Sequence, residues 1–232
     1  NISNTSDSSS APSIATDSND VVHVTWSELV GGTNFEIYYA NSTDWSGTQT
    51  NISNTADLSL WPKLAVDSSD EVHVVWYENI GGTYYEVFHA SSSNWTGTQT
   101  NVSNSAYWSI FPSLAIDSSD TVHIVWEEKI GAVSTIFYSN STDWSATQAM
   151  ISACPQSSFQ PAIATDSSNT IHVVWRTDEA EIYYANSTDW AGTLANVSSS
   201  PLTSTTPAVI LIDSAGGIRI IYQDYDDIYY VR

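Results

Sequence analysis

The chain repeats five times a stretch whose clearest copy reads Pro62-Lys-Leu-Ala-Val-Asp67-Ser-Ser-Asp70-Glu-Val-His-Val-Val-Trp76. The other copies begin at Pro12, Pro112, Pro161 and Pro207. A fixed period of about fifty residues is typical of blades, solenoids or arrays, in which one unit stacks on the next. The fold therefore follows from the structure that a single unit adopts.

Each unit begins with a hairpin. The Asp-Ser-Ser turn lies between runs rich in Val and Ile, which predict two strands. The second strand, residues 72–76 in the clearest copy, is apolar on successive residues, as is typical of a strand covered on both faces. A third strand follows a Gly-Gly turn, and a more polar fourth strand follows the turn that ends at Trp45. The last turn position carries residue types that tolerate a left-handed backbone: Asp20, Asp70, Asp120, Asn169 and Gly216.

Units of four antiparallel strands, covered on both sides, predict an all-β fold, a five-bladed β-propeller. Residues 1–3 match the end of a fourth strand, and the fifth unit stops after its third. We therefore expect the N-terminal strand to pair with the last blade and close the ring, which leaves no open edge. The prediction is one domain over residues 1–232, with blades at about 5–53, 54–103, 104–152, 153–198, and 199–232 plus 1–4.

Composition limits the partners. The chain has 232 residues, a formal net charge of -21 and only five Lys and Arg residues. Such a field repels nucleic acid and anionic membranes, and no apolar run reaches transmembrane length, so we expect neither nucleic-acid binding nor direct membrane insertion. Because the chain begins in mid-repeat without Met, we expect a piece of a longer surface protein. Cys154 is expected to be a buried apolar residue or an intermolecular link.

Glycosylation sequons favour an extracellular or cell-surface location. Most of the Asn-x-Ser/Thr motifs fall on the predicted outer strand or on the turn before it, where a glycan would fit. The expectation is a secreted glycoprotein. The predicted acceptors are Asn41, Asn51, Asn94, Asn101, Asn140, Asn186 and Asn196.

Four repeated histidines raise the question of a metal. His23, His73, His123 and His172 occupy the same place on the second strand. A ring of blades would hold them on the order of 10 Å apart, given the strand spacing of about 4.8 Å. Zinc needs each ligand nitrogen within about 2.1 Å. We therefore expect no metal and no cofactor, with each imidazole hydrogen-bonded inside its own blade.

Departures from the repeat indicate function. The segment after the second strand is expected to be a long loop in blades 1–3, and the residue before the first-strand proline varies from Ala11 to Thr206. In a propeller both kinds of loop share one face, so we expect an aromatic rim there. Aromatic faces stack on sugars or fill protein contacts, although Trp61 and Trp108 would equally plug neighbouring blades. The ligand-binding candidates are Trp61, Tyr77, Glu78, Tyr107, Trp108, Phe111 and Gln160.

The unit Ser-x-x-Pro-x-Leu-Ala-x-Asp-Ser…Val-His-Val-Val-Trp, with the later turn Ser42-Thr-Asp44-Trp-Ser-Gly47, resembles the sialidase-like, Asp-box type of repeat propeller. The resemblance implies that the box is a structural turn away from the active face. Sialidases grip the substrate carboxylate with three arginines. This chain has three in total, and one of them is the terminal Arg232. The resemblance therefore covers the architecture and not the enzyme residues.

The sequence predicts an extracellular, non-catalytic module that binds a glycan or a protein through the aromatic loop face. An enzyme is not expected. Two alternatives remain open: a self-assembling surface-layer or filament subunit, and a sialidase-like glycoside hydrolase. The hydrolase would use two carboxylates about 5–10 Å apart, drawn from Glu28, Glu78, Glu128 or Asp57.

Overall fold

The computed structural model describes residues 1–95, 97, 99–152, 156–198, 207–224 and 227–232. The predictions for Cys154 and Thr206 fall outside these residues. The chain divides into two compact units, Asn1–Pro112 and Ser113–Arg232.

The first unit contains two four-stranded antiparallel sheets, each with its strands in chain order. The first sheet, blade 1, consists of β1 (Ser9–Thr16), β2 (Val22–Val30), β3 (Asn34–Asn41) and β4 (Thr50–Asn51). The second sheet, blade 2, consists of β5 (Leu58–Val66), β6 (Val72–Ile80), β7 (Tyr84–Ser91) and β8 (Thr100–Asn101). The only described helical segment, Ser92–Asn94, has three residues, so no helix among the described residues is long and apolar enough to cross a membrane.

Blade 3 begins at the boundary between the units, and blades 4 and 5 lie in the second unit. Blade 3 consists of β9 (Trp108–Ile116), β10 (Val122–Ile130), β11 (Val133–Asn140) and β12 (Ala149–Met150). Blade 4 consists of β13 (Ser158–Thr165), β14 (Ile171–Thr177), β15 (Ile182–Asn186) and β16 (Ala195–Asn196). Blade 5 consists of β17 (Val209–Ile212), β18 (Ile218–Asp224) and β19 (Asp227–Val231).

The N-terminal segment has the local structure of a fourth-strand end. The amide N–H of Asn4 donates to Asn1 Oδ1, as the N–H of Asn54 donates to Asn51 Oδ1 in the next repeat. The Gln49 side chain donates to the carbonyl of Ile2, a contact that Gln99 repeats one blade later. The described part of blade 5 has three strands, and closure of the ring by this segment stays a prediction.

The hairpin turns follow the sequence pattern. The last turn residue has a left-handed backbone in each blade, with φ between 60° and 77°. In blade 2, Asp67 Oδ1 accepts the N–H groups of Ser69 and Glu71, both at 2.8 Å. These bonds hold the turn closed, because an Asp side chain accepts from the backbone two residues on.

The core consists of the middle strands. In the first unit Trp76 of β6 is fully buried against Ile37 and Ile52 of blade 1, so the repeated tryptophan fills the space between two blades. Trp175 has the same role in the second unit, where it packs against Ile136 of blade 3. Removing such a ring typically costs about 3–5 kcal/mol.

The prediction of a long loop after the second strand is wrong. β6 continues to Ile80, which pairs with Tyr84 across a tight turn. Gly81 and Gly82 have φ values of 56° and 73°, and they occupy the two central, left-handed positions of a turn in which the Thr83 N–H donates to the Ile80 carbonyl at 3.1 Å. Tyr77 and Glu78 are therefore buried strand residues rather than parts of an exposed loop.

Candidate functional site

A bulge interrupts the first strand of each of blades 1–4. The residue before the proline has a left-handed backbone, with φ of 49° at Ala11, 55° at Trp61, 50° at Phe111 and 50° at Gln160. Where the register of these strands is described, it shifts at this point. A bulge turns one side chain away from the regular strand direction. The repeat therefore fixes this backbone, while the side chain that it presents changes from blade to blade.

A second variable position contacts the bulge of the next blade. It is the residue directly after the repeated tryptophan. In the first unit the N–H of Trp61 donates to Ser27 Oγ at 3.1 Å. In the second unit the N–H of Gln160 donates to Glu127 Oε2 at 3.3 Å. The two positions that depart most from the repeat thus contact each other, and they define the candidate sites.

In the first unit these positions form an aromatic cluster. Trp61 and Tyr77 each contact Phe111 edge-on with ring centroids 5.7 Å apart, and Tyr77 contacts Tyr85 at 5.4 Å. Tyr85 in turn contacts Trp108 at 5.5 Å. Edge-to-face pairs at such distances are favourable by about 0.5–1.5 kcal/mol each beyond the area that they bury. The aromatic cluster is thus Trp61, Tyr77, Tyr85, Trp108 and Phe111.

The structure brings four predicted ligand residues into this aromatic cluster, and they differ in exposure. Tyr77 is buried and Phe111 is partly buried, as a plug between blades would be. Trp61 is 47% exposed and Trp108 is 43% exposed, so both indole rings present open surface. Tyr107, the neighbour of Trp108, is also exposed. Tyr85 was missed, because its position in the third strand gave no departure that we recognised.

Glu78 and the related acids have scaffold contacts. Glu78 Oε2 accepts the Trp76 indole N–H at 3.1 Å and the Ser59 hydroxyl at 3.1 Å. Glu28 and Glu128 accept the indole N–H of the tryptophan in their own blades, at 2.7 and 2.9 Å. Asp57 accepts from a backbone N–H at the turn between β6 and β7. These contacts repeat or hold turns, so the pattern indicates a structural role for all four acids.

A polar site lies in the second unit. It consists of Glu127, Gln160 and Arg176. Glu127 is 5% exposed, and burial raises the pKa of its carboxyl group, although Ser134, the Gln160 N–H and the nearby positive charge of Arg176 act in the opposite direction. The Arg176 guanidinium lies 5.0 Å from the centre of the Phe159 ring.

Two buried polar atoms of this site, Gln160 Oε1 and Arg176 Nε, have no hydrogen-bond partner among the described residues. The same is true of Trp175 Nε1 in the core. Buried polar groups are almost always paired, so an unpaired set points to a missing partner such as a ligand or water. Gln160 was predicted from the sequence. Glu127 and Arg176 were missed, although the varying residue after each repeated tryptophan was the signal that could have found them.

The repeated histidines are hydrogen-bonded inside their own blades, as predicted. His23 Nδ1 lies 2.6 Å from the Tyr39 hydroxyl, and its Nε2 lies 3.2 Å from Asp17 Oδ2. The same Asp–His–Tyr chain recurs in blades 3 and 4. In blade 2 the tyrosine is replaced by His89, whose Nε2 lies 3.1 Å from His73 Nδ1.

The Asp-box turn is structural, as the resemblance implies. Asp44 Oδ1 accepts the N–H groups of Ser46 and Gly47, and the Gly47 N–H is the largest of the contacts that lower the pKa of Asp44. Of the predicted glycosylation sites, Asn94 and Asn196 are exposed. The other five are partly buried, and Asn41, Asn140 and Asn186 donate their side-chain amide to a tyrosine hydroxyl. Glycosylation stays a prediction.

No protein-family model matches the chain, and no curated protein matches it by sequence. Solved structures do match. A protein of unknown function from Dyadobacter fermentans has a TM-score of 0.65 and 12% identity, over 93% of this chain and 75% of that one. The α-L-arabinanase of Penicillium chrysogenum, complexed with arabinobiose, has a TM-score of 0.64 and 15% identity, over 96% and 77%. A Hadza microbial sialidase has a TM-score of 0.60 and 10% identity, and the match covers 92% of this chain but 52% of that one.

These matches show the fold. The chain is an all-β, five-bladed β-propeller with sialidase-like architecture, as predicted. Family-43 glycoside hydrolases are also among the similar structures. The matches correct two predictions. The expected non-catalytic binding module is wrong, because most of the similar structures are glycoside hydrolases, among them an endo-arabinase and an exo-β-1,3-galactanase. The expectation that the chain is not an enzyme is wrong for the same reason.

Proposed function

We propose that the protein is a glycoside hydrolase in which Glu127 is the proton donor. The observation that carries the proposal is this buried acid at a position where the other four-stranded blades have Ser27, Tyr77 and Arg176. A repeat-wide carboxylate serves the scaffold, whereas a carboxylate in a single blade has another reason to be there.

The electrostatics of Glu127 suit a general acid. Glycosidic cleavage requires a carboxyl group that is still protonated when the substrate binds, and such groups have a raised pKa. Burial raises the pKa of Glu127 in this way. The proton would pass from Glu127 to the glycosidic oxygen as the bond between that oxygen and the anomeric carbon breaks. Water would then add to the anomeric carbon, and the proton that this water loses would restore the Glu127 carboxyl group.

The neighbouring polar atoms suit sugar hydroxyls. A hydroxyl group both donates and accepts. It would donate to Gln160 Oε1 and accept from Arg176 N–H, two groups that lack a partner among the described residues. Binding a sugar would therefore remove the cost of about 1–3 kcal/mol that an unpaired buried polar group carries.

The aromatic cluster supports a glycan substrate independently. Sugar rings have apolar faces that stack on aromatic side chains, and Trp61 and Trp108 each present nearly half of their surface. We assign the exposed aromatic residues Trp61, Tyr107 and Trp108 to glycan binding. Tyr77 and Phe111 hold the two indoles in place through their ring contacts.

Hydrolysis is tested by sugar release from arabinan, xylotriose, β-1,3-galactan and sialosides. A positioned general acid contributes about 10²–10⁴-fold to the rate, so Glu127→Gln should lower kcat by that factor on the substrate that is cleaved. The matched control is Glu179→Gln, which changes an exposed acid of the same unit. A wild-type protein that cleaves none of these glycans, or a fully active Glu127→Gln variant, would refute the proposal.

Glycan binding by the aromatic cluster has a separate test. Trp61→Ala and Trp108→Ala should raise KM, or weaken glycan retention, about tenfold or more, because each variant loses an exposed indole ring that would stack on an apolar sugar face. Tyr84→Ala removes an equally exposed aromatic ring outside the cluster and should leave both unchanged. Equal effects in all three variants would contradict the assignment.

An extracellular location is part of the proposal. Enzymes that cleave polysaccharides meet their substrates outside the cell, and the sequons at Asn94 and Asn196 are exposed. Mass spectrometry of the natural protein should find glycan on these two asparagines. Unmodified peptides at both positions would remove this support.

A further inference from the structure

Blade 2 contains a cluster of metal-ligating side chains. Asp67, Glu71 and His73 each offer one ligand atom, and these atoms all lie within 4.8 Å of one another. They lie at the hairpin between β5 and β6, where β6 begins. Glu78 lies near the other end of β6. The side chains of Asp67 and His73 are 8% and 10% exposed, whereas Glu71 is only partly buried, so the cluster is reached by water on the side of Glu71.

The cluster results from two departures from the repeat in the same blade. At the position of Glu71 the other four-stranded blades have Val21, Thr121 and Thr170. A second departure, His89, replaces the tyrosine that contacts the repeated histidine elsewhere. Histidines of different blades are too far apart to share one metal ion, whereas these ligands converge within a single blade.

The geometry fits a small divalent cation. His73 Nε2 and Asp67 Oδ2 lie 3.4 Å apart. Two ligands that are each about 2.1 Å from a tetrahedral zinc ion lie about 3.4 Å from each other. The other oxygen of Asp67 accepts the N–H groups of Ser69 and Glu71, which fixes the carboxylate with Oδ2 directed at the imidazole.

His89 orients the metal-binding histidine. His73 Nδ1 lies 3.1 Å from His89 Nε2, and the two rings stack with an interplanar angle of 16°. A proton on His73 Nδ1 that is donated to His89 leaves Nε2 free to bind a metal. Metal-bound histidines almost always donate their second ring N–H in this way.

The donor set selects the metal. Oxygen ligands alone would favour Ca²⁺ or Mg²⁺, but an imidazole nitrogen favours zinc and its transition-metal neighbours. We propose that Asp67, Glu71 and His73 bind one Zn²⁺, with water as the fourth ligand and His89 as the orienting partner. The ion links the hairpin turn to the second strand of blade 2 and is separate from the proposed hydrolase chemistry.

Isothermal titration of the metal alone into untagged, chelator-treated protein tests this site. One equivalent of Zn²⁺ should bind and should raise the Tm, because a ligand that binds only the folded state stabilises it. Mg²⁺ and Ca²⁺ should bind at least tenfold more weakly. No saturable zinc binding, or binding of Ca²⁺ with equal affinity, would overturn the proposal.

Variants that restore the repeat identify the ligands. Glu71→Thr installs the residue of blades 3 and 4, and His89→Tyr installs the tyrosine of the other blades, so both changes suit this fold. Glu71→Thr should weaken zinc binding at least tenfold, and His89→Tyr by about 10–100-fold. The matched control Thr121→Val, at the same position of blade 3, should bind zinc like the wild type. Unchanged zinc affinity in Glu71→Thr with a metal-free Tm near that of the wild type would overturn the assignment.

Discussion

Replacing Glu78 tests whether the repeated acids stabilise the scaffold. In Glu78→Ala, the Trp76 indole N–H and the Ser59 hydroxyl lose the carboxylate that accepts both at 3.1 Å. Glu78 is 4% exposed, so water replaces these bonds poorly. Each unsatisfied buried donor costs about 1–3 kcal/mol, so we expect a loss of about 2–6 kcal/mol. Glu78→Gln keeps one acceptor oxygen but loses the negative charge. Because hydrogen bonds to a charged group contribute more to stability than neutral ones, we expect the free energy of unfolding to fall by about 1–2 kcal/mol.

Urea unfolding, followed by tryptophan fluorescence, measures both losses. The midpoint should fall while the slope stays constant, since the surface exposed on unfolding is unchanged. In a thermal scan, 1 kcal/mol corresponds to about 2–4 °C for a domain of this size. A Glu78→Ala protein within about 0.5 kcal/mol of the wild type would refute the scaffold argument for this carboxylate. Glu179→Gln, an exposed change, is the control.

Three further predictions concern Trp175, the His123–Asp117 pair and Trp61. In urea unfolding, Trp175→Phe should lower the free energy of unfolding by at least about 1 kcal/mol less than Trp76→Phe does. The reason is that the Trp76 indole N–H donates to Glu78, whereas the Trp175 indole N–H has no partner among the described residues. Equal losses in the two variants would contradict this. Stability should fall as the pH drops below about 6.5, because burial lowers the pKa of His123 and the folded protein binds this proton less readily than the unfolded chain. Stability should fall again below about pH 3.9, where the unfolded chain begins to protonate Asp117. In the folded protein, hydrogen bonds from His123 and two backbone N–H groups outweigh burial and lower the pKa of Asp117. In Tm measurements across pH 3–7, Asp117→Asn should have a lower Tm at pH 7 and a shallower decline below pH 4; parallel curves would exclude this linkage. Trp61→Gly should change the Tm by less than about 4 °C, because glycine adopts the left-handed backbone of this position without strain and offsets the lost ring contacts; a larger fall would identify Trp61 as a core residue.

The sequence predicted those parts of the structure that local rules determine. The left-handed turn residue, the buried second strand and the Asp-box turn each depend on residues within one repeat, so their chemistry can be read from neighbouring positions. The fixed spacing of the repeat then predicts that five such units follow one another along the chain. The predicted end of β6 was wrong, because the sequence of Tyr77 and Glu78 resembles that of a loop until their pairing with β7 is known.

The candidate sites depend on contacts between residues that are distant in the chain. Glu127 meets the N–H of Gln160 across a separation of 33 residues, and Trp61 meets Phe111 across fifty positions of sequence. The sequence alone determined the repeating all-β scaffold and the positions at which it varies. Only the tertiary structure decided which varying side chains touch, because a bulge and a strand register set the direction of each one. Packing between blades then joins residues that no local pattern relates.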